Sequence, residues 1–303
     1  MSILPIPERL NVVTLAFASA ACGSFLWIAS HASGWLWIAI AALGFSFTAN
    51  TMFALLHESV HGLFSCRRWL NESAGVIAGA WFPTGLSIQR AFHLTHHRNN
   101  RGPAEQFDYF QPGEIRWLKR AQWYAILTGV YWIVAVIGVL VFAITPREVR
   151  MRARKRRSIA MHQTSGSAYL AALDTLPPIR ARAEIVFALG FQIAVIAALD
   201  LSIIGWLACY GGFALQWSSL QYADHAFSPL DPREGAWNLR VSPIARAFFL
   251  NYHLHLAHHR EPRTSWIHLP SLVDPREPQP YFWAIWAAMW RGPRPMPEER
   301  RDG

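Results

Sequence analysis

A chain of 303 residues is long enough for one large domain or two small ones, and its three cysteines, Cys22, Cys66 and Cys209, are isolated. They exclude both a disulfide framework and a CxxC metal site. Hydrophobic residues make up 52% of the chain and charged residues only 16%, which places it in a membrane. The net charge of +9 comes from basic residues clumped together rather than spread along a face, a pattern that favours anionic lipid over nucleic acid.

In chain order, Leu10 to Ser30 carries no charge over 21 residues and Gly34 to Leu56 none over 23. Each matches the roughly 20 residues a helix needs to cross a bilayer core. With only His31, Ala32 and Ser33 between them, they predict a helical hairpin. Glu8 and Arg9 precede a stretch longer than a signal-peptide core, and another span follows at once, so the first stretch reads as retained. A hydrophilic block from Cys66 to Arg120 comes next. Inside it, Ala74 to Ile88 is apolar but short and contains Pro83, which suits an interfacial or re-entrant element. Ala121 to Thr145 is a third apolar stretch. It is followed by a basic loop in which Arg147, Arg150, Arg152, Arg154, Lys155, Arg156 and Arg157 face only Glu148, as expected of a cytoplasmic segment. Ile185 to Leu199 and Leu201 to Ala223, interrupted by Asp200, form a second predicted hairpin. After His225 the chain is hydrophilic except for Tyr281 to Trp290, which reads as an aromatic helix at the membrane surface. Residues 291–303 read as a loose tail.

The predicted architecture is an all-α integral-membrane protein with two transmembrane helical hairpins, re-entrant or interfacial helices, and a histidine-rich cytoplasmic cap. It forms one membrane-embedded domain over 1–303, with its core at about 10–270. Parity constrains the odd stretch. If both hairpins enter and leave by the cytoplasmic side, Ala121 to Thr145 cannot cross once: either it dips in and returns, bending near Gly129 or Gly138, which is the preferred expectation, or it spans and the basic loop breaks the positive-inside tendency.

The histidines carry the chemical signal. His57 and His61 are four apart, His93, His96 and His97 form HxxHH, His225 stands alone, and His255, His258 and His259 form HxxHH again. On a helix, positions i, i+3 and i+4 share a face, so each group is expected to aim its imidazoles at a single point. Two HxxHH patterns in one chain are rare by chance at this histidine frequency, whereas HxxxH alone is a weak sign. Imidazole suits Zn, Cu, Fe and Ni alike. One zinc takes only four ligands, and nine histidines are enough for two metals with positions left open.

The order HESVH, HLTHH, HLAHH at the ends of membrane hairpins resembles the integral-membrane fatty acid desaturase superfamily. His225 in QYADH matches the further histidine that such proteins place about thirty residues before the last box, and HHREPRTSW after that box is also similar. The resemblance covers roughly Leu10 to Pro270. It implies that His57, His61, His93, His96, His97, His225, His255, His258 and His259 are the metal-ligating and catalytic residues. They would hold two iron ions that use dioxygen to oxidise a fatty acyl or lipid substrate. Desaturation is the first expectation, with hydroxylation, ketolation or oxidative decarboxylation as alternatives. By the same match Gln221 would face a metal-bound water. Glu58, Asp108, Asp224, Asn251 and His253 are further candidates for orienting the ligands, since such partners accept the other ring N–H. His253 could instead compete as a ligand, and the basic segment around Arg150 is long for the family. The resemblance also implies an integral, multi-pass protein with its active site on the cytoplasmic face, at the inner membrane if the source is bacterial.

The chain has no dinucleotide fingerprint, haem motif or cysteine quartet. An external electron donor, a ferredoxin, rubredoxin or cytochrome with its reductase, is therefore implied, and Arg67, Arg68 and Arg147 to Arg157 could attract an acidic one. Two rivals remain. HESVH is also the HExxH of zinc proteases, with Glu58 as general base, and a metal transporter likewise combines spans with histidines, although its ligands belong near the bilayer midplane. His31, His162 and His268 are excluded from the site.

Overall fold

The computed structural model of the chain describes residues 4–157 and 171–297. His162 and residues 298–303 lie outside them. Helix α1 (Glu8–His31) and helix α2 (Trp35–His61) form the first hairpin and pack along each other. Their contact surface uses small side chains, Ala18, Cys22 and Ala29 from α1 and Ala41 and Ala49 from α2, all buried. In lipid, where apolar side chains gain nothing by leaving the solvent, close packing of small residues is what holds helices together.

At 1.5 Å per residue, the 27 residues of α2 extend about 40 Å, longer than the roughly 30 Å hydrocarbon core. The surplus is its C-terminal end, where every residue from Phe45 to Val60 except Phe47 is buried. There the helix stops at Gly62, whose left-handed conformation (φ 76°) lets its N–H cap the last turn.

Helices α3 (Arg68–Trp81) and α4 (Leu86–Asn99) follow, and α3 packs on α2. The short apolar stretch is thus the end of one helix and the start of the next, broken at Pro83 and Gly85. Helices α5 (Arg116–Leu127) and α6 (Val130–Ile144) occupy the third apolar stretch and are bent by 97° relative to each other. The bend falls at Gly129, with φ 81°, one of the two glycines expected to allow it. The basic segment expected as a loop is instead helix α7 (Arg147–Arg157).

Helix α8 (Pro178–Ala198) packs mainly on α3, while α9 (Ile203–Ala223) packs on α1 and α2. The second pair is therefore splayed rather than a close hairpin. One buried amide joins its halves: Gln192 donates to Tyr210 Oη (2.7 Å) and to the Ala80 carbonyl (2.9 Å), and accepts from Trp206 Nε1 (3.2 Å). Among the described residues, α1, α2 and α8 are long and apolar enough to cross a membrane, or four spans if the bent α5–α6 pair counts as one. The second half of α9 is more polar than these helices, with Gln216, Ser218, Ser219 and Gln221 in it. Phe17, Trp35, Leu36, Leu43, Val134, Ile144, Val186 and Ile193 are exposed large apolar side chains on these helices, an apolar surface suited to lipid.

The remaining chain covers one end. Helices α10 (Pro243–Phe248) and α11 (His255–Arg260), a 3₁₀ helix (Trp266–Leu272) and α12 (Phe282–Met289) are all short. Of the aromatic segment, Trp283 is 69% exposed, while Phe282 and Trp286 pack inward and the Met289 carbonyl accepts from Trp123 Nε1 (2.7 Å). Beyond Arg291 the chain is held rather than loose, at least to Pro295. Strand β2 (Arg294–Pro295) pairs in parallel with β1 (Tyr109–Phe110), and Arg294 lies 3.6 Å from the Phe227 ring centre.

Candidate metal centre

The C-terminal end of α2 is fixed from several sides. Asn71 donates to the Ser59 carbonyl (3.0 Å), and Arg90 donates to the carbonyls of Ser59 (3.0 Å) and Val60 (3.3 Å). A guanidinium there satisfies unpaired carbonyls and complements the negative end of the helix dipole. Arg90 also binds Glu72 in a fork, with Arg180 on the same carboxylate. One ion-pair network thus joins α2, α3, α4 and α8, and it aligns the two helices that carry His57, His61, His93, His96 and His97.

The nine histidines fall into two groups, in each of which one ring nitrogen per residue lies within 4.8 Å of the others. The first holds His57, His61, His93, His97 and His258, and the second holds His96, His225, His255 and His259. The expectation that each sequence group points to one place holds for His57 and His61 but not for the two HxxHH boxes. Successive helical residues turn by about 100°, so i and i+4 differ by about 40° while i+3 lies about 60° to the other side. In α4, His93 and His97 therefore stay together and His96 diverges. In α11 the split is the same, with His255 and His259 together and His258 apart, but the pair and the single residue serve opposite groups.

Within the groups the Nε2 atoms face one another. His57 and His258 are 3.1 Å apart, His61 and His93 2.8 Å, His93 and His97 2.9 Å, and His97 and His258 3.0 Å. In the second group His96 lies 3.1 Å from His225 and 3.3 Å from His259. Two nitrogens each about 2.0–2.1 Å from a metal ion are about 2.9 Å apart at a right angle and about 3.4 Å apart at a tetrahedral one. The observed spacings match the edges of a coordination shell. Burial, reinforced by the neighbouring imidazoles, holds His93, His225, His255, His258 and His259 well below the ordinary histidine range and His97 at about 3. These rings are neutral, as metal ligation requires. The residues fit two cations.

The candidates for orienting these rings have varied places. Asp224 is fully buried, with one carboxylate oxygen 3.6 Å from His255 Nδ1, and among the described residues neither oxygen has a hydrogen-bond partner. Gln221 accepts from the Tyr252 hydroxyl (3.2 Å), and its buried Nε2 has no partner among the described residues. Glu58 is turned to the 3₁₀ helix, accepting from Ser265 Oγ (2.8 Å) and the Trp266 N–H (3.3 Å). Asp108 touches no histidine: it takes a two-pronged bond from Arg101 (2.9 and 2.8 Å) and the Phe227 N–H (2.7 Å). Asn251 binds Arg246 and the Trp266 carbonyl. His253 belongs to neither group, and burial beside Arg246 lowers it to about 4. Away from the centre, His31 contacts the Trp27 carbonyl and His268 that of Pro5.

Two neighbours of the groups were not anticipated. Glu105 Oε2 lies 3.2 Å from His96 Nδ1; nine residues beyond the box in an irregular segment, it gave no sequence signal. Tyr252 sets its ring against both His57 and His255, with 4.9 Å between centres in each case. It lies in the turn just before α11, three residues ahead of His255.

A family model described as fatty acid desaturase matches residues 29–288, well over half of the chain. No curated protein matches it.

Proposed function

The chain belongs to the fatty acid desaturase family, and from that premise we propose that it is a multi-pass membrane oxidoreductase acting on a long fatty acyl or lipid chain. The reaction is dioxygen-dependent desaturation at two iron ions. The observation that carries this reading is the convergence of nine histidines into two groups of five and four. His57, His61, His93, His97 and His258 would hold one ion, and His96, His225, His255 and His259 the other. Iron bound there supplies the redox chemistry that removes hydrogen from an unactivated C–H bond.

The protein's own part is to bind, orient and exclude water. Neutral imidazoles keep their Nε2 lone pairs available, and Asp224 is buried beside His255, with one oxygen 3.6 Å from that ring's Nδ1. Tyr252 packs on Phe53, and Phe53 on Phe82 and Trp217. This aromatic wall gives the histidines a dry, apolar border on the side of the spanning helices, suited to an aliphatic chain and protective of reactive species. The histidine face is cytoplasmic in this reading, where the basic helix α7 would meet anionic lipid or an acidic electron donor such as a ferredoxin, rubredoxin or cytochrome.

The zinc-protease alternative uses only His57 and His61 and leaves the four-histidine group without a role. Glu58→Gln separates the two, because a protease would lose essentially all turnover. The main test is expression with a suitable reductase, followed by mass spectrometry of total lipids from cells carrying the wild type or His96→Ala. A new alkene lost in the variant supports desaturation, and an alcohol, ketone or shortened product replaces it with another reaction at the same site. A product that persists in His96→Ala refutes the assignment.

A further inference from the structure

The two histidine groups differ in what stands behind them. A histidine that ligates through Nε2 must carry its proton on Nδ1, and a partner that accepts that proton fixes the tautomer and the ring plane. In the four-histidine group, His225 Nδ1 faces the Gly235 carbonyl at 2.8 Å and His96 Nδ1 faces Glu105 at 3.2 Å, while His255 Nδ1 is 3.6 Å from Asp224, too far for a hydrogen bond. Asn100 Nδ2, 3.4 Å from His259 Nδ1, is a donor already engaged with the carbonyls of Pro232 and Gly235 and does not accept that ring's proton. In the five-histidine group, among the described residues, no ring makes a hydrogen bond at Nδ1.

Glu105 is itself held with unusual firmness. The segment from Arg101 to Asp108 closes on a buried ion pair in which both side chains are fully inaccessible. Arg101 adopts a left-handed backbone (φ 56°), a conformation unfavourable for a non-glycine residue that persists only when its surroundings enforce it. Here they do. Its guanidinium also reaches the Ser228 carbonyl (3.2 Å) and Tyr222 Oη (3.3 Å). The Tyr222 hydroxyl lies 3.0 Å from the Glu105 carbonyl and 2.9 Å from Asp108 Oδ1, and it accepts from the Phe107 N–H (2.8 Å). The backbone on which Glu105 sits is thus tied to the end of α9, three residues before His225.

Resting on the two-metal reading above, we propose that Glu105 is a positioning residue for one metal site only. Braced by the Arg101–Asp108–Tyr222 lock, it fixes His96 in the Nδ1-protonated form, so the four-histidine site depends on this segment and the five-histidine site does not.

The test uses the full chain in detergent, titrated with iron(II) without oxygen and then challenged with a chelator. Wild type is expected to retain two ions. Glu105→Ala retains one, its weakened site having lost about 10- to 100-fold in affinity, the usual effect of removing such a partner. Glu105→Gln, which keeps an acceptor oxygen without the charge, falls between. Combination identifies the site: Glu105→Ala adds nothing to His96→Ala but removes the remaining ion from His93→Ala. Melting of the metal-free proteins shows whether the fold is intact. Equal weakening of both sites, or no weakening by either Glu105 variant, would overturn this inference while leaving two-metal binding in place. A wild-type chain that holds fewer than two ions would overturn both.

Discussion

Glu72 shows how a residue outside both histidine groups still bears on them. Burial alone would raise its carboxyl, but the hydrogen bonds and charges of Arg90 and Arg180 outweigh that and hold it at about 2. Between its ordinary value near 4.5 and about 2, the unfolded chain binds a proton that the folded chain refuses, so stability falls as pH falls through that window. The stabilising effect is complete above pH 4.5 and gone below 2. Glu72→Gln should therefore be less stable than wild type at pH 6, with the gap in melting temperature closing as pH drops towards 2; a gap constant with pH would show that Glu72 is not the group involved. At this scale the sequence was only partly legible. The nine imidazoles could be picked out by spacing, because ligand geometry restricts which residue types recur at i, i+3 and i+4. Their supports could not. Asp108 and Glu105 are both acidic residues a short way past HLTHH, yet one neutralises Arg101 and the other faces His96. Which does which depends on a left-handed turn at Arg101, and nothing in local composition encodes it.

The helices were easier to read than their relations. Apolar runs long enough for a bilayer mark α1, α2 and α8 because lipid leaves backbone groups no partner outside the helix. The direction taken after each run was not written in the same way. Gly129 is a case where element geometry can be tested. It combines φ 81° with a backbone so close to α9 that an added Cβ would lie 2.7 Å from the Leu215 nitrogen and 2.9 Å from the Ala214 carbonyl carbon. Gly129→Ala should cost at least about 2 kcal/mol, from the unfavourable backbone conformation together with overpacking. Gly138 lies within α6 with nothing near its missing side chain, and Gly138→Ala should be neutral or slightly stabilising. Denaturant unfolding in detergent distinguishes them, and equal effects would mean that the bend is not set at Gly129. The same helical arithmetic, applied to the boxes, would have split each HxxHH between two ions from sequence alone, because i and i+4 stay together and i+3 does not.

For the whole molecule, what matters is that the two groups join segments remote in sequence. His57 and His61 end a spanning helix, His93 to His97 lie on α4, His225 follows α9, and His255 to His259 form a helix of barely two turns. A helix that short has little stability of its own; α11 is held by its buried Leu256 and Ala257, and in the proposed reading metal on its histidines would hold it further. Metal should consequently act as a structural tie as well as a reactant. An ion that binds only the folded chain stabilises it by RT ln(1 + [L]/Kd), about 2.7 kcal/mol for each site at a hundredfold excess over Kd. Iron(II), added without oxygen to metal-free protein in detergent, should raise the melting temperature in a concentration-dependent way, and a chelator should reverse it. His93→Ala and His96→Ala should each lose part of the rise, since each removes a ligand from a different group, and the double variant should lose most of it. If iron leaves the melting curve of the wild type unmoved, the convergence of these histidines does not amount to a metal centre.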